Sequence, residues 1–381
     1  MDIHFVCHDC GKKHHPRSLL WRCPCGGLLD VDQFTISFPF DEIKKRPATM
    51  WRYREALPFV SDSTVWEALT LGEGYTPIVP LDSKSPNILL KVEYMMPTLS
   101  FKDRGVAVLV AKAKALGVTK VIADSSGNAG TSLSAYASRA GMKCDIYVPE
   151  STSPKKVLQI SAHGATVHRI PGNREATAHA VIEAIESNQG FYASHVYNPF
   201  FYQGTKTYAF EIFEQLNGEM PDVLVFPVGN GSLLLGAYYG FQELLHGGMI
   251  VKIPRFIAVQ AEGCAPIAQA FRTGKKTAEP VVNTGTAAEG IAIAAPARHR
   301  QILDAIYATG GFVITAPKEK MEPARRELAS KGFYVEPTTA ATYAGFLEYL
   351  AQAHNSTGNL PGFEPDAKVI IPLCGAGIKA N

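Results

Sequence analysis

The residues whose types and spacing suit chemistry are a lysine at a helix start, two glycine turns and two cysteine pairs. In Pro97-Thr98-Leu99-Ser100-Phe101-Lys102-Asp103-Arg104-Gly105, Ser100 is placed to cap a helix and Asp103 to return the bond in a variant capping box. Lys102 then falls in the first helical turn. A lysine beside unpaired amides and the positive end of a helix dipole is eased toward the neutral amine that imine formation needs. Spacing alone favours a solvated surface lysine over that reading.

Glycine turns that leave a strand and open a helix offer free amides and a dipole end to an anion. Asp124-Ser125-Ser126-Gly127-Asn128-Ala129-Gly130 has this form, and so does Pro227-Val228-Gly229-Asn230-Gly231-Ser232. Neither completes a dinucleotide fingerprint, because Leu234 stands where the third glycine should follow Gly229-x-Gly231, and the chain has no Walker A run. A nicotinamide cofactor and a P-loop nucleoside triphosphatase are therefore disfavoured.

Cys7-His8-Asp9-Cys10-Gly11 is a CxxC pair, and Cys23-Pro24-Cys25-Gly26-Gly27 is a shorter CxC pair. Four thiolates from two turns close a tetrahedral zinc shell with no open position, which implies a structural metal. The tighter bite of the second pair leaves room for His8, His14 or His15 as a substitute ligand. Four reduced thiols in a small loop are the alternative. Cys144, Cys264 and Cys374 stand alone, so the seven cysteines are not a disulfide framework.

Elements that position these residues emerge from Asn87 onward. Short β-branched runs (Ile88 to Val92, Lys120 to Ala123, Cys144 to Val148, Val223 to Phe226, Phe256 to Val259) alternate with amphipathic stretches (Asp103 to Leu116, Ala129 to Ala140, Ser153 to Ala162, Leu233 to Leu245). Strand and helix taking turns predicts an α/β fold of parallel sheets covered on both faces. Residues Gln33 to about Thr70, with Phe34, Phe38, Phe40, Trp51, Tyr53, Phe59 and Trp66 but little periodicity, read as a connecting segment packed on the body.

A chain of 381 residues, 46% hydrophobic and 19% charged, can bury a large core, and wholesale disorder is excluded. The formal charge is +2, and Lys44-Lys45-Arg46 is too short to track a phosphate backbone, so nucleic acid is not an expected partner. The uncharged stretch Val223 to Gln242 is broken by Pro227, Asn230, Ser232 and four glycines, which argues against a membrane span. Met1-Asp2-Ile3-His4 has neither the basic start nor the apolar core of an export signal, and the expected location is the cytoplasm.

Together, Pro97-Thr98-x-Ser100-Phe101-Lys102-Asp103-Arg104-Gly105, Leu71-Gly72-Glu73-Gly74-x-Thr76-Pro77 and Ser126-Gly127-Asn128 resemble the threonine synthase branch of the fold-type II pyridoxal-phosphate (PLP) enzymes. The similarity runs from about Leu71 to the C-terminus, and some members share the cysteine knuckle. The resemblance implies that Lys102 forms the internal aldimine and shuttles the substrate α-proton. Asn128 would bond the cofactor's phenolic oxygen, while Ser125, Ser126 and the amides of Gly127, Asn128 and Ala129 would hold the substrate carboxylate. Gly229, Asn230, Gly231, Ser232 and Leu233 would cradle the cofactor phosphate. Cys374 would face the pyridine nitrogen as a neutral partner, which moderates the electron sink. Glu289-Gly290-Ile291 resembles the stretch lining the ring, or else Glu289 is a surface carboxylate capping a turn.

The expected organisation is a zinc-ribbon-like segment at 1–32, a large α/β PLP domain from 33–95 plus 195–381, and a smaller α/β domain at 96–194 with the carboxylate loop. The expected assembly is a homodimer acting on a small amino acid. Two positions depart from the family pattern. Its Asn-Pro-x-Arg-x-x-Gly-x-Lys-Thr run, whose arginine helps bind the phosphate of phosphohomoserine, is here Asn198-Pro199-Phe200-Phe201-Tyr202-Gln203-Gly204-Thr205-Lys206-Thr207, with Phe201 in place of the arginine. Its Gly-Asn-Thr is Gly127-Asn128-Ala129. Losing one charge-assisted phosphate contact costs about 1.5 to 3 kcal/mol unless Lys206, His195 or Arg104 compensates. The reactions open to such a chain are threonine synthesis from O-phospho-L-homoserine and water, deamination of serine or threonine, and β-replacement with a nucleophile such as sulfite or sulfide. An inactive PLP scaffold serving as a zinc-knuckle interaction protein is the non-enzymatic alternative, and the intact lysine and loops argue against it.

Overall fold

The computed structural model describes residues 3–32, 38–58, 63–172, 174–187, 189–354, 364 and 366–380. The chain divides into two compact units, Met1–Tyr75 with Met96–Tyr208, and Thr76–Met95 with Ala209–Asn381.

In the first unit a parallel sheet runs Thr166–Ile170, Lys143–Pro149, Lys120–Ala123, Phe191–Tyr192 in spatial order. Val121, Ile122, Ile146 and Val148 are buried on both faces, as a parallel sheet covered by helices requires. Helices Lys102–Ala115, Asn128–Arg139, Pro154–Ser161 and Arg174–Glu186 supply the cover. The same unit carries a small antiparallel sheet of Lys13–His14, Phe5–Cys7 and Leu29–Val31.

The second unit is built on a six-stranded sheet ordered Phe312–Ala316, Arg255–Ala261, Val223–Pro227, Val369–Pro372, Ile88–Lys91, Ile78–Pro80. All neighbours are parallel except the last pair. Every residue of Val223–Pro227 is buried, so this strand is central on both faces. Tyr343, Phe346 and Tyr349 of the helix Pro337–His354 join Val225, Ile257 and Val259 in one apolar core.

Strands and helices stand where alternation predicts them, with ends displaced by a residue or two. The segment expected to be a mere connection is more structured. It holds the helix Phe40–Ile43, a 3-10 run Met50–Ala56 and the helix Ser63–Leu69, with Trp51 and Tyr53 buried and Trp51 stacked on Trp66 at 5.0 Å. Phe34 and Phe59 lie outside the described residues. Among the described residues no helix is long and apolar enough to cross a membrane.

Candidate active site and metal centre

Lys102 is the first residue of the helix Lys102–Ala115, as the capping argument requires, but Ser100 is not the cap. Ser100 Oγ is buried and meets no hydrogen-bond partner among the described residues. The turn is held by Asp103, which is fully buried and accepts from Thr98 N at 2.7 Å, Thr98 Oγ1 at 2.5 Å and Ser132 Oγ at 2.5 Å. The carboxylate reaches back to the turn, and the serine it might have shared that work with sits one step too early. Leu99 takes a left-handed backbone, φ 62°, which an L side chain adopts at a cost of about 1 kcal/mol. A strained leucine directly ahead of the lysine turn marks a conformation held by its surroundings.

Helix Pro199–Thr205 presses on the lysine helix through two glycines. A Cβ on Gly204 would lie 1.9 Å from the Arg104 carbonyl oxygen, and one on Gly105 would lie 2.5 Å from the Phe201 ring. Phe201 is thereby fixed, fully buried, with its ring centroid 5.5 Å from Lys102 Nζ. Phe101 lies 4.6 Å from the same nitrogen, so half-buried Lys102 has aromatic carbon on two sides. His195 meets the Phe201 ring edge-on at 6.0 Å. Of the other two residues that would compensate for a missing arginine, Arg104 is buried and donates to Thr207 Oγ1 at 3.0 Å, and Lys206 is buried and donates to Gln203 Oε1 at 2.6 Å. Both are spoken for inside the packing.

The loop Ser125–Gly127 leaves the strand Lys120–Ala123 and opens the helix Asn128–Arg139. Gly130 is required there, since a Cβ would meet the Ser125 carbonyl oxygen at 1.9 Å. Gly127 precedes the helix in an extended conformation with no side-chain cap, and the first-turn amides of Asn128 and Ala129 face the helix start. Because Ser132 belongs to this helix, its bond to Asp103 ties the loop's helix to the lysine turn within one unit. The residue ahead of the loop, Asp124, accepts from the Tyr192 hydroxyl at 2.8 Å.

In the second unit, Gly231 (φ 69°) turns the chain into the helix Ser232–His246. A Cβ at Gly229 would press on Ile293, the Gly290 carbonyl and Ile291, and one at Gly231 would meet Ile302 at 2.6 Å. Only a bare backbone fits this cradle, and the helix ladder begins with Leu235 N on the Gly231 carbonyl, so the turn stands at a helix N-terminus, where an anion is favoured. The turn therefore fits a phosphate. Cys374, just past the strand Val369–Pro372, is buried and donates its amide to Thr339 Oγ1 at 3.1 Å. Glu289–Ile291 is a 3-10 turn whose Glu289 is exposed and whose Gly290 packs against Thr338.

Cys7, Cys10, Cys23 and Cys25 converge, with all four sulfurs within 4.8 Å of one another. Cys7 to Cys25 and Cys10 to Cys25 are 3.5 Å, and Cys10 to Cys23 is 3.7 Å. A tetrahedron with Zn–S near 2.3 Å has edges of about 3.8 Å, so the four thiols fit that metal. The CxC pair closes the shell without a histidine: His14 Nε2 stands 3.2 Å from Cys23 Sγ as a hydrogen-bond partner, His8 pairs with Asp30, and His15 accepts from Arg17 N. Gly27 makes room, because a Cβ there would lie 2.5 Å from Cys7 Sγ. The Lys12 amide, then the Cys25 and Cys7 thiols, draw Cys10 down to about 7. Cys25 is pushed up to about 12, since the other three sulfurs outweigh the lowering by the Gly27 amide, its largest single influence. Four crowded sulfurs that resist joint ionisation are what a divalent cation relieves.

Sequence reasoning missed the buried charges behind these turns. Glu73 accepts from Trp51 Nε1, the Tyr136 hydroxyl at 2.9 Å and Leu71 N at 2.8 Å. Lys91 and Glu211, both fully buried, pair at 2.9 Å, and Lys91 also donates to the Thr76 carbonyl at 2.6 Å. The sequence signals were a carboxylate between two glycines at Glu73 and charges set among apolar residues at Lys91 and Glu211.

Comparison with known proteins gives a consistent result. The family described as pyridoxal-phosphate dependent enzyme matches residues 69–375. Threonine synthase of Methanocaldococcus jannaschii is 33% identical over 384 aligned positions, covering 98% of this chain and 92% of that one. Threonine synthase of Methanosarcina acetivorans is 34% identical over 352 positions, 90% of this chain and 85% of that one. Among solved structures, the processed form of threonine deaminase isoform 2 from Solanum lycopersicum superposes with a TM-score of 0.69 over 91% of this chain and 87% of its own, at 19% identity, a likeness of fold.

Proposed function

The chain belongs to the pyridoxal-phosphate dependent enzyme family, and from that premise we propose that it acts on a small L-amino acid by elimination and replacement, as a threonine synthase converting O-phospho-L-homoserine and water to L-threonine and phosphate. The observation that carries the reading is the Asp103–Ser132 bond, which ties the turn bearing Lys102 to the helix opened by the loop Ser125–Ala129. An amine and an anion-binding loop so joined suit a substrate that presents an α-carbon and a carboxylate. The similarity to threonine synthases along the whole chain supplies the reaction.

When bound, the cofactor supplies an electron sink for charge developing at the substrate α-carbon. We assign Lys102 Nζ to carry the cofactor and to move the α-proton, and Asn128 to its phenolic oxygen. Ser125, Ser126 and the amides of Gly127 to Ala129 orient the substrate carboxylate. Gly229, Asn230, Gly231, Ser232 and Leu233 take the cofactor phosphate, and Cys374 is the neutral partner of its ring nitrogen. Zinc on Cys7, Cys10, Cys23 and Cys25 is structural in this reading. Seven free cysteines suit a reducing compartment, so the cytoplasm is the proposed location, with a homodimer as the proposed assembly.

Phe201 favours a second reading, ammonia-lyase or β-replacement chemistry on a smaller amino acid. A buried phenyl ring beside Lys102 cannot pair with a phosphate dianion. Incubating the PLP-saturated protein with O-phospho-L-homoserine, L-serine, L-threonine and O-phospho-L-serine, and assaying phosphate, ammonia and keto acid, separates the two. Phosphate with threonine supports the first; ammonia and keto acid from serine or threonine, without phosphate from phosphohomoserine, select the second. No turnover of any of them contradicts both.

A further inference from the structure

The cysteine knuckle reaches both sides of the substrate apparatus through two aromatic residues, each two positions ahead of a cysteine. Phe5, ahead of Cys7, is buried with its ring 5.1 Å from Phe200. Phe200 and Phe201 are consecutive on the helix Pro199–Thr205, and Phe201 is the ring that stands 5.5 Å from Lys102 Nζ. Trp21, ahead of Cys23, meets Tyr192 and Tyr197 edge-on at 5.3 and 5.2 Å, with the Arg22 guanidinium 4.4 Å from its ring. Tyr192 in turn donates its hydroxyl to Asp124, the residue ahead of the loop Ser125–Ala129. All of these contacts lie inside one compact unit.

We propose that the knuckle is a positioning element of the substrate site, with Phe5 setting the apolar wall beside Lys102 and Trp21 setting the carboxylate loop through Tyr192 and Asp124. The idea rests on the assignment of that loop and Lys102 to the substrate. Physically, Cys7 and Cys25 bring the strand Phe5–Cys7 and the second turn together, so closing the four-sulfur shell fixes both aromatic anchors relative to each other. Opening the shell frees each anchor from its cysteine and lets the Asp124 carboxylate and the Phe200–Phe201 pair shift. The knuckle thereby tunes how the amino acid is held and leaves the covalent chemistry of Lys102 alone. Trp21 and Phe5 are positioning residues in this scheme, since neither touches the reacting atoms.

The test uses full-length, PLP-saturated protein. Trp21→Ala is expected to raise KM for the amino-acid substrate about tenfold with kcat within about threefold, and Trp21→Phe to restore KM by keeping an edge-on ring. Cofactor content stays that of the wild type. Hydrogen exchange, which needs no turnover, is expected to quicken in residues 124–131 of Trp21→Ala and to stay unchanged in 232–246. Stripping metal from the wild type with a chelator is expected to quicken exchange in both 124–131 and 199–205. Unchanged KM and exchange in Trp21→Ala overturn the proposal, as does a uniform rise in exchange with kcat lowered as much as KM is raised, which is the signature of mere packing. Should Trp21→Ala not fold, the chelation experiment decides alone, and unaltered exchange in both segments overturns the idea. If exchange responds as expected but no amino acid is turned over, the functional reading falls and only the coupling of the knuckle to the two segments stands.

Discussion

The Phe201 ring covers the α-carbon of Gly105 so closely that a methyl group there would stand 2.5 Å from its carbons. This contact fills with hydrocarbon the place where the family pattern that the sequence resembles has an arginine. Phe201→Arg is expected to raise kcat/KM for O-phospho-L-homoserine about tenfold, the worth of one charge-assisted contact, read as steady-state phosphate release. A fall in kcat/KM at unchanged cofactor content contradicts the view that Phe201 has emptied a phosphate site.

Asp103 gathers three donors while fully buried, so removing one is expensive. Ser132→Ala should lower stability by about 1–3 kcal/mol, seen in the thermal midpoint. Asp103→Asn should cost more, because an amide N–H would then face the Thr98 donors, and the variant should lose cofactor on dialysis while Ser132→Ala keeps it. Equal midpoints for wild type and both variants would show that the lysine turn is held by other contacts.

How much of this was legible in the sequence depends on the range of the interaction. The lysine's place at a helix start, the glycine turns and the strand and helix alternation are local, set by periodicity and by residues a few positions apart, and they appear where expected. The cap was misplaced because Ser100 and Asp103 both satisfy the spacing, and only the fold brings Thr98 and Ser132 to the carboxylate. Two partners of Glu73, Trp51 and Tyr136, lie 22 and 63 residues away, and Lys91 meets Glu211 across 120. No spacing rule reaches that far. Likewise, Phe201 was legible as a departure from a motif, whereas its burial against Gly105 belongs to a helix crossing that two glycines permit.

The knuckle should hold one zinc per chain. Elemental analysis of reduced, freshly purified protein is expected to give stoichiometric zinc, and Cys7→Ser and Cys25→Ser are each expected to abolish it, since an incomplete shell loses most of its affinity. Metal-free protein with an unchanged thermal midpoint would contradict the structural role.

Acid should weaken the wall behind the Gly229–Ser232 turn. Burial, then the Arg300 charge, hold the His299 imidazole below its usual 6.5. Its Nδ1 accepts from Ala278 N at 3.0 Å, a bond that the protonated ring cannot make. His299 opens the helix whose Ile302 backs Gly231. The unfolded chain takes up the proton first, so this contribution is complete above about pH 6.5 and is lost as pH falls through the lower folded value. His299→Asn, which keeps an acceptor but does not titrate, should flatten the thermal midpoint between about pH 7 and pH 5.5 relative to wild type. Parallel profiles for the two proteins would remove His299 as the source.

Lys102 is the proposed carrier of the cofactor. Lys102 opens its helix beside two aromatic rings, in a turn that Asp103 and the strained Leu99 hold in place. Borohydride reduction of the PLP-saturated protein followed by peptide mapping tests this directly. A single pyridoxyl group on Lys102, absent from Lys102→Ala, is the expected result. A pyridoxyl group on any other lysine, or none in a saturated sample, contradicts it.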